Sequence, residues 1–261
     1  MANNMPADLD RMQSIKDMLH PNKYALDCRF LIKDGQKHKC AIICPGGGYG
    51  LVCSFIEGVP IAKKLNDKGI SCVIVYYRVK KKAVYPNPQD DLARAIKDVI
   101  SHAGEWNLDM SDYSVWGSSA GGHLAATMGT DNMGYKKYGL PKPGHIVLIY
   151  PVITMDKSLT HMGTHDNLIG ADASAEREDF CSVEKHVTAD YPDTFIWCGD
   201  ADKTVPPENT KMMARALEAA GVSFKSEIYP GVDHGVGPGT GTAAEGWIDT
   251  AVEYMYKEKN C

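Results

Sequence analysis

VWGSSAGGHLAA, residues 115–126, reads as the end of a strand, a sharp turn and the start of a helix. Residues 113–117 are mostly aromatic, β-branched or small, which suits a short strand, and residues 119–128 follow a helical pattern. At the junction Gly117, Ser119 and Gly121 form G-x-S-x-G. A strand that turns abruptly into a helix lifts one serine oxygen to the tip, and a side chain at the flanking positions would clash in so tight a turn. Ser119 is therefore a candidate nucleophile. Ser118 is the rival hydroxyl, one position early for such a turn. The plainer alternative is a tight loop of small residues.

On both sides of this stretch, short β-branched runs alternate with longer helical patterns. Strands are expected at residues 37–44, 71–77, 113–117, 145–150, 194–198 and 223–229, and helices at 60–68, 88–102, 119–128, 208–220 and 243–257. This alternation predicts an α/β fold: a doubly wound, mostly parallel sheet with helices on both faces. Functional groups then collect in loops at the carboxyl ends of the strands. The reading is one domain over residues 1–261. Residues 155–190 break the rhythm with mixed polar sequence, and are expected to be an insertion that packs over the strand ends as a partial lid. The first 36 residues carry no recognisable motif.

Three strand-end loops carry further chemistry. Pro45-Gly46-Gly47-Gly48-Tyr49 follows the first strong strand, and its glycines leave backbone N–H groups bare. Such donors can hold a developing oxyanion. The alternatives are a flexible loop or a phosphate cradle, but no G-K-[ST] follows as a nucleotide loop requires. After residues 194–198 come Asp200 and Asp202. Asp202 is favoured as an acid because it lies deeper in the loop; Asp200 competes, and either could instead be a turn or cap aspartate. Among nine histidines, only His234, within GVDHG, lies in a loop after the last expected strand. His102, His145, His161, His165 and His186 read as surface or packing residues, and His123 as structural. Ser119, Asp202 and His234 thus follow the order Ser…Asp…His, each at the end of a strand.

Composition sets outer limits. Of 261 residues 44% are hydrophobic and 23% charged, enough for a large core and unlike a disordered chain. Lys plus Arg number 28 against 33 acidic residues, a net charge of −5 that gives no reason to expect nucleic acid. No apolar run approaches the ~20 residues that span a bilayer. Asp8, Asp10 and Arg11 interrupt the stretch where a secretion signal needs apolar residues, so a cytoplasmic protein is expected. The eight cysteines show no C-x-x-C pair and no zinc-type spacing, and read as free thiols. Cys40, Cys44, Cys72 and Cys198 read as buried, and Cys261 is left open. Lys80-Lys81-Lys82 reads as a solvated loop, and Met212 and Met213 as packing on an amphipathic helix.

These motifs together resemble the α/β-hydrolase esterase/lipase family, in its bacterial acetyl-esterase (acetylxylan-esterase-like) branch. The resemblance covers residues 37–261. It rests on CPGGGY at residues 44–49, YYR at 76–78 followed by YPNPQDDLARAI, GSSAGGHLA at 117–125, CGDADKTVP at 198–206 and GVDHG at 231–235. It implies Ser119 as nucleophile, His234 as base and Asp202 as acid. It implies oxyanion donors from Ala120 N–H and the region of Gly46 and Gly47, and a structural role for Arg78. Two departures set the chain apart from the hormone-sensitive-lipase group: Pro45 replaces the usual His, and Tyr76-Tyr77-Arg78 lacks that group's Asp. The implied function is hydrolysis of short acyl esters, with acetylated sugars such as xylan oligosaccharides as substrate. No cofactor, metal, nucleic acid or membrane is expected, and a homo-oligomer is left open. The alternatives are a lactone hydrolase or peptidase with the same triad, and a non-catalytic ligand-binding homologue.

Overall fold

A computed structural model describes residues 27–256. Seven strands form one sheet: β1 (Asp27–Phe30), β2 (His38–Cys44), β3 (Ile70–Val75), β4 (Leu108–Ser118), β5 (His145–Ile149), β6 (Asp193–Gly199) and β7 (Phe224–Tyr229). Their order is β1-β3-β2-β4-β5-β6-β7, with β1 antiparallel to β3 and every other pair parallel. The helices are α1 (Val59–Asn66), α2 (Asn87–Ser101), α3 (Ser119–Thr127), α4 (Tyr135–Tyr138), α5 (Met162–Ile169), α6 (Ala175–Cys181), α7 (Glu208–Ala219) and α8 (Trp247–Tyr256).

Side-chain alternation along each strand builds two cores. Cys40, Ile42 and Cys44 of β2 and Val73 and Val75 of β3 pack with Leu92 and Ile96 of α2, Leu124 of α3 and Met213 of α7. Ala41, Ile43, Cys72 and Ile74 point the other way, against Ile61 and Leu65 of α1 and Trp247 and Ile248 of α8. A strand buried on both faces loses its polar alternation, which is why these runs are continuously apolar. This is the doubly wound α/β arrangement expected from the sequence. The cysteines at 40, 44, 72 and 198 are buried, and all seven cysteines among the described residues are free. Asp8, Asp10 and Arg11, which interrupt a secretion signal, and Cys261 lie outside the described residues.

Several boundaries differ from expectation. β1 was not anticipated: it is four residues long and borders the sheet. β4 begins at Leu108 rather than 113, because Leu108 and Asp109 pair with His38 and Lys39 before a register shift. The last helix starts at Trp247 rather than 243, since Gly246 sits at φ +91° just before it. The polar stretch 155–190 carries α5 and α6, and its Leu168, Cys181 and Val183 are fully buried. Arg78 is structural: its Nε and backbone N–H both donate to the buried Asp91 carboxylate, each at 2.8 Å. Lys80, Lys81 and Lys82 are exposed, and Met213 is buried on α7.

Candidate active site

The chain passes from β4 into α3 at Ser119, whose backbone is left-handed at φ +54°. Serine adopts that conformation only at a cost, and such strain gathers at functional turns. The two flanking glycines are a steric requirement. A Cβ on Gly117 would lie 2.1 Å from the Gly121 carbonyl oxygen, and one on Gly121 would lie 2.1 Å from that of Cys44. The first turn of α3 therefore sits directly on the end of β2, and Ser119 Oγ faces the loops beyond the strand ends.

Two of those loops meet it. His234 Nε2 lies 2.9 Å from Ser119 Oγ, and His234 Nδ1 lies 2.6 Å from Asp202 Oδ2. With Nδ1 against a carboxylate, the ring proton belongs there, and Nε2 is left to accept the serine proton. Asp202 is 4% exposed, and its other oxygen accepts the N–H groups of Thr204 and Val205, each at 2.9 Å. Its orientation is thus set from both sides. Asp200 is exposed, and its carboxylate accepts the Gly231 N–H at 2.6 Å, pinning the loop that carries His234. Ser118 is the last residue of β4 and is 1% exposed.

The glycine loop needs one correction. Gly46 was expected among the oxyanion donors, but its N–H donates at 2.7 Å to the buried carboxylate of Glu57 and is spent there. Gly47 is differently placed. The Gly46 carbonyl accepts from Cys53 N–H at 2.9 Å, and in a trans peptide the next N–H, that of Gly47, points the opposite way. The Gly47 carbonyl is likewise held by Gly50 and Leu51 N–H, which turns the Gly48 N–H away from it. Among the described residues no acceptor takes the N–H of Gly47, Gly48 or Ala120. Gly46 still fixes the spacing: a Cβ there would come within 2.8 Å of Ser119 Cβ.

Sequence reasoning missed three side chains beside this site. Glu57 is 4% exposed, on the turn Ser54–Gly58 that follows the glycine loop. Burial pushes its carboxyl up, against the hydrogen bonds from Tyr150 and Gly46 and the nearby His234. Tyr150, just past β5, packs its ring on His234 with centroids 4.8 Å apart. His161, read as an ordinary surface or packing residue, instead borders the loop, its Cε1 lying 3.3 Å from where a Gly48 Cβ would be. Burial, then the neighbouring His234, hold its pKa down. A single charged residue within an otherwise uncharged run, residues 51–58, was the one available signal for Glu57. Among the described residues no group of three or more His, Cys, Asp or Glu side chains is gathered to hold a metal ion.

His123 is structural, as its place one turn into α3 suggested. Its Nδ1 accepts from Tyr49 Oη at 3.0 Å, and its Nε2–H donates to the Cys181 carbonyl at 2.8 Å. The ring ties the glycine loop to residues 155–190. Burial lowers its pKa from 6.5 to about 4, only partly opposed by the Cys181 carbonyl. A depressed folded-state value contributes stability above the unfolded value of about 6.5. As the pH falls toward 4 the unfolded chain takes up the proton first, and about 3 kcal/mol is lost. Urea unfolding at about pH 7 and pH 4 checks this: the wild type is expected to lose more stability on acidification than His123→Asn, by roughly that amount.

A mostly parallel sheet with helices on both faces and a serine on a strained strand-to-helix turn places the chain among the α/β-hydrolases. It belongs to the BD-FAE family, whose model matches residues 26–217. It is similar to the acetyl ester-xyloside bifunctional hydrolase from Caldicellulosiruptor lactoaceticus, at 30% identity and a TM-score of 0.81, over 88% of this chain and 87% of that one. It is 30% identical over 203 residues to an acetylxylan esterase of Xylanibacter ruminicola, covering 75% of this chain and 40% of that protein. It is 29% identical over 237 residues to endo-1,4-beta-xylanase B of Butyrivibrio fibrisolvens, covering 87% of this chain and 36% of that protein. The chain thus spans less than half the length of these two curated relatives. Among the described residues no helix is long and apolar enough to cross a membrane.

Proposed function

We propose that the chain is a serine carboxylic-ester hydrolase that removes short acyl groups, acetyl foremost, from acetylated sugars such as xylan oligosaccharides. The observation that carries this reading is the continuous chain from Ser119 Oγ through the His234 ring to Asp202, at 2.9 and 2.6 Å. The likeness to an acetylxylan esterase and to an acetyl ester-xyloside hydrolase supports the substrate class. His234 Nε2 takes the Ser119 proton as the oxygen attacks the ester carbonyl. Asp202 holds the ring in the productive tautomer and stabilises its charge. The tetrahedral oxyanion is held by the N–H groups of Gly47 and Ala120, with that of Gly48 alongside. As the tetrahedral intermediate collapses and the ester C–O bond breaks, His234 gives its proton to the departing sugar oxygen, which leaves as a hydroxyl. In the second half, water attacks the acyl-serine by the same route and frees the carboxylate. Residues 155–190 act as a partial cover, bordering the glycine loop through His161 and through Asn167 Nδ2, which donates to the Gly48 carbonyl at 2.9 Å. The seven cysteines among the described residues are free thiols, six of them buried, which fits a reducing, intracellular setting.

A panel of p-nitrophenyl acetate, butyrate and octanoate with acetylated xylo-oligosaccharides, a lactone and an anilide tests the reading. Acetyl esters are expected to react fastest and the anilide least. On the preferred ester Asp202→Asn is expected to lower kcat by about 10⁴-fold, because the ring loses its orienting charge, whereas Asp200→Asn stays within about tenfold. A wild type that cleaves no ester, or equal effects of the two substitutions, would overturn it.

A further inference from the structure

We propose that Glu57 and Tyr150 form a positioning strap that holds the glycine loop and the His234 loop in register across Ser119. Its catalytic consequence rests on the serine-hydrolase reading; its structural content does not.

Glu57 is a buried carboxylate that the reaction itself does not use. Two neutral donors face it: Gly46 N–H at 2.7 Å on Oε2 and Tyr150 Oη at 2.9 Å on Oε1. No Lys or Arg among the described residues neutralises it. Burying a carboxylate without a cation is costly, so the geometry it creates is the place to look for a return. On one side that geometry fixes Gly46, the residue before the proposed donor Gly47 and in contact distance of Ser119. On the other side Tyr150, 1% exposed, accepts the Gly237 N–H on the same hydroxyl at 3.0 Å and meets the His234 ring edge-on, with the planes 64° apart. Gly237 follows His234 by three residues, so Tyr150 grips the base by both its ring and its loop. Tyr150 is also held at φ +36°, a left-handed backbone that a bulky residue adopts only where its surroundings enforce it. A single chain of hydrogen bonds therefore runs Gly46–Glu57–Tyr150–Gly237, joining the two loops that must be spaced correctly around one reacting carbon.

A strap of this kind acts through other groups. Oxyanion donors and the base are used in the transition state, so their misplacement lowers kcat and leaves substrate binding nearly unchanged. Glu57→Gln is isosteric but turns an NH₂ group toward one of the two donors. Tyr150→Phe keeps the ring on His234 and removes the hydroxyl. Each variant is expected to lose about 10- to 100-fold in kcat on p-nitrophenyl acetate with KM within about twofold, and the double variant to lose no more than the worse single, because the two act as one unit. Amide hydrogen exchange of the substrate-free proteins gives a readout independent of turnover. Exchange is expected to rise in both loops, residues 44–53 and 231–238, in either variant. Exchange rising only in the loop next to the substitution, a loss carried by KM, or multiplicative losses in the double variant would overturn the strap. If Glu57→Gln does not fold, Tyr150→Phe carries the same comparison. An inactive wild type would defeat the hydrolase reading, while the exchange pattern would still decide the strap.

Discussion

Ser119→Ala is expected to lower kcat for ester hydrolysis by on the order of 10⁵- to 10⁶-fold, with a folded protein left behind. The size follows from what the hydroxyl does. Ser119 Oγ is the atom aligned with His234, so its removal ends the covalent route and leaves only what bare N–H donors contribute to attack by water. Alanine matches serine in size and meets the same φ +54° strain, so the fold has no new reason to fail. The expected residue is a slow, His234-independent hydrolysis. Steady-state rates on p-nitrophenyl acetate for Ser119→Ala, His234→Ala and the double variant check this. The three are expected to be similar, because members of a triad act as a unit. A Ser119→Ala protein within tenfold of wild type would place the nucleophile elsewhere.

Gly121→Ala is expected to damage the fold rather than the chemistry alone. The added methyl would sit 2.1 Å from the Cys44 carbonyl oxygen and 2.4 Å from that of Pro45. Both obstacles are backbone, at the end of β2 and the start of the glycine loop, and neither can rotate away. Relief requires α3 to lift from the sheet, which would also carry Ser119 away from His234. Overpacking usually costs about 1–3 kcal/mol, and a clash with fixed backbone in the core belongs at or above the top of that range. Gly104→Ala is the matched control, since nothing lies within 4 Å of the added atom there. Urea unfolding is expected to show a change within about 0.5 kcal/mol for Gly104→Ala and several-fold more for Gly121→Ala. Equal stability of the two would mean that α3 does not pack on β2 as described.

The parts of this molecule that were legible in the sequence share a physical cause. Residues 40–44 and 72–75 are continuously apolar because both faces of a central strand are buried, and that pattern is written in residue type. The serine turn was legible because glycine is required on either side of it, and His234 because a loop after the last strand offered no other ring. Asp202 could be separated from Asp200 only as a preference, since both are loop carboxylates and only the backbone path decides which one reaches the ring. The direction of a peptide plane is encoded by no residue type, which is why Gly46 was read as an oxyanion donor when its N–H is turned onto Glu57. Glu57, Tyr150 and His161 acquire meaning only through partners 11 to 113 residues away in the chain, a tertiary coincidence without a local signature. β1 and the helices α5 and α6 were missed for a simpler reason. They are only four to eight residues long, too short for periodicity to rise above a polar background.

The most direct test of a single activated serine is covalent labelling by a fluorophosphonate, read by intact mass and peptide mapping. The expected result is one adduct per chain, on Ser119, absent from Ser119→Ala and strongly slowed in His234→Ala. An unlabelled wild type, or an adduct on Ser118 or any other residue, would show that the 2.9 Å contact between Ser119 and His234 does not activate the hydroxyl.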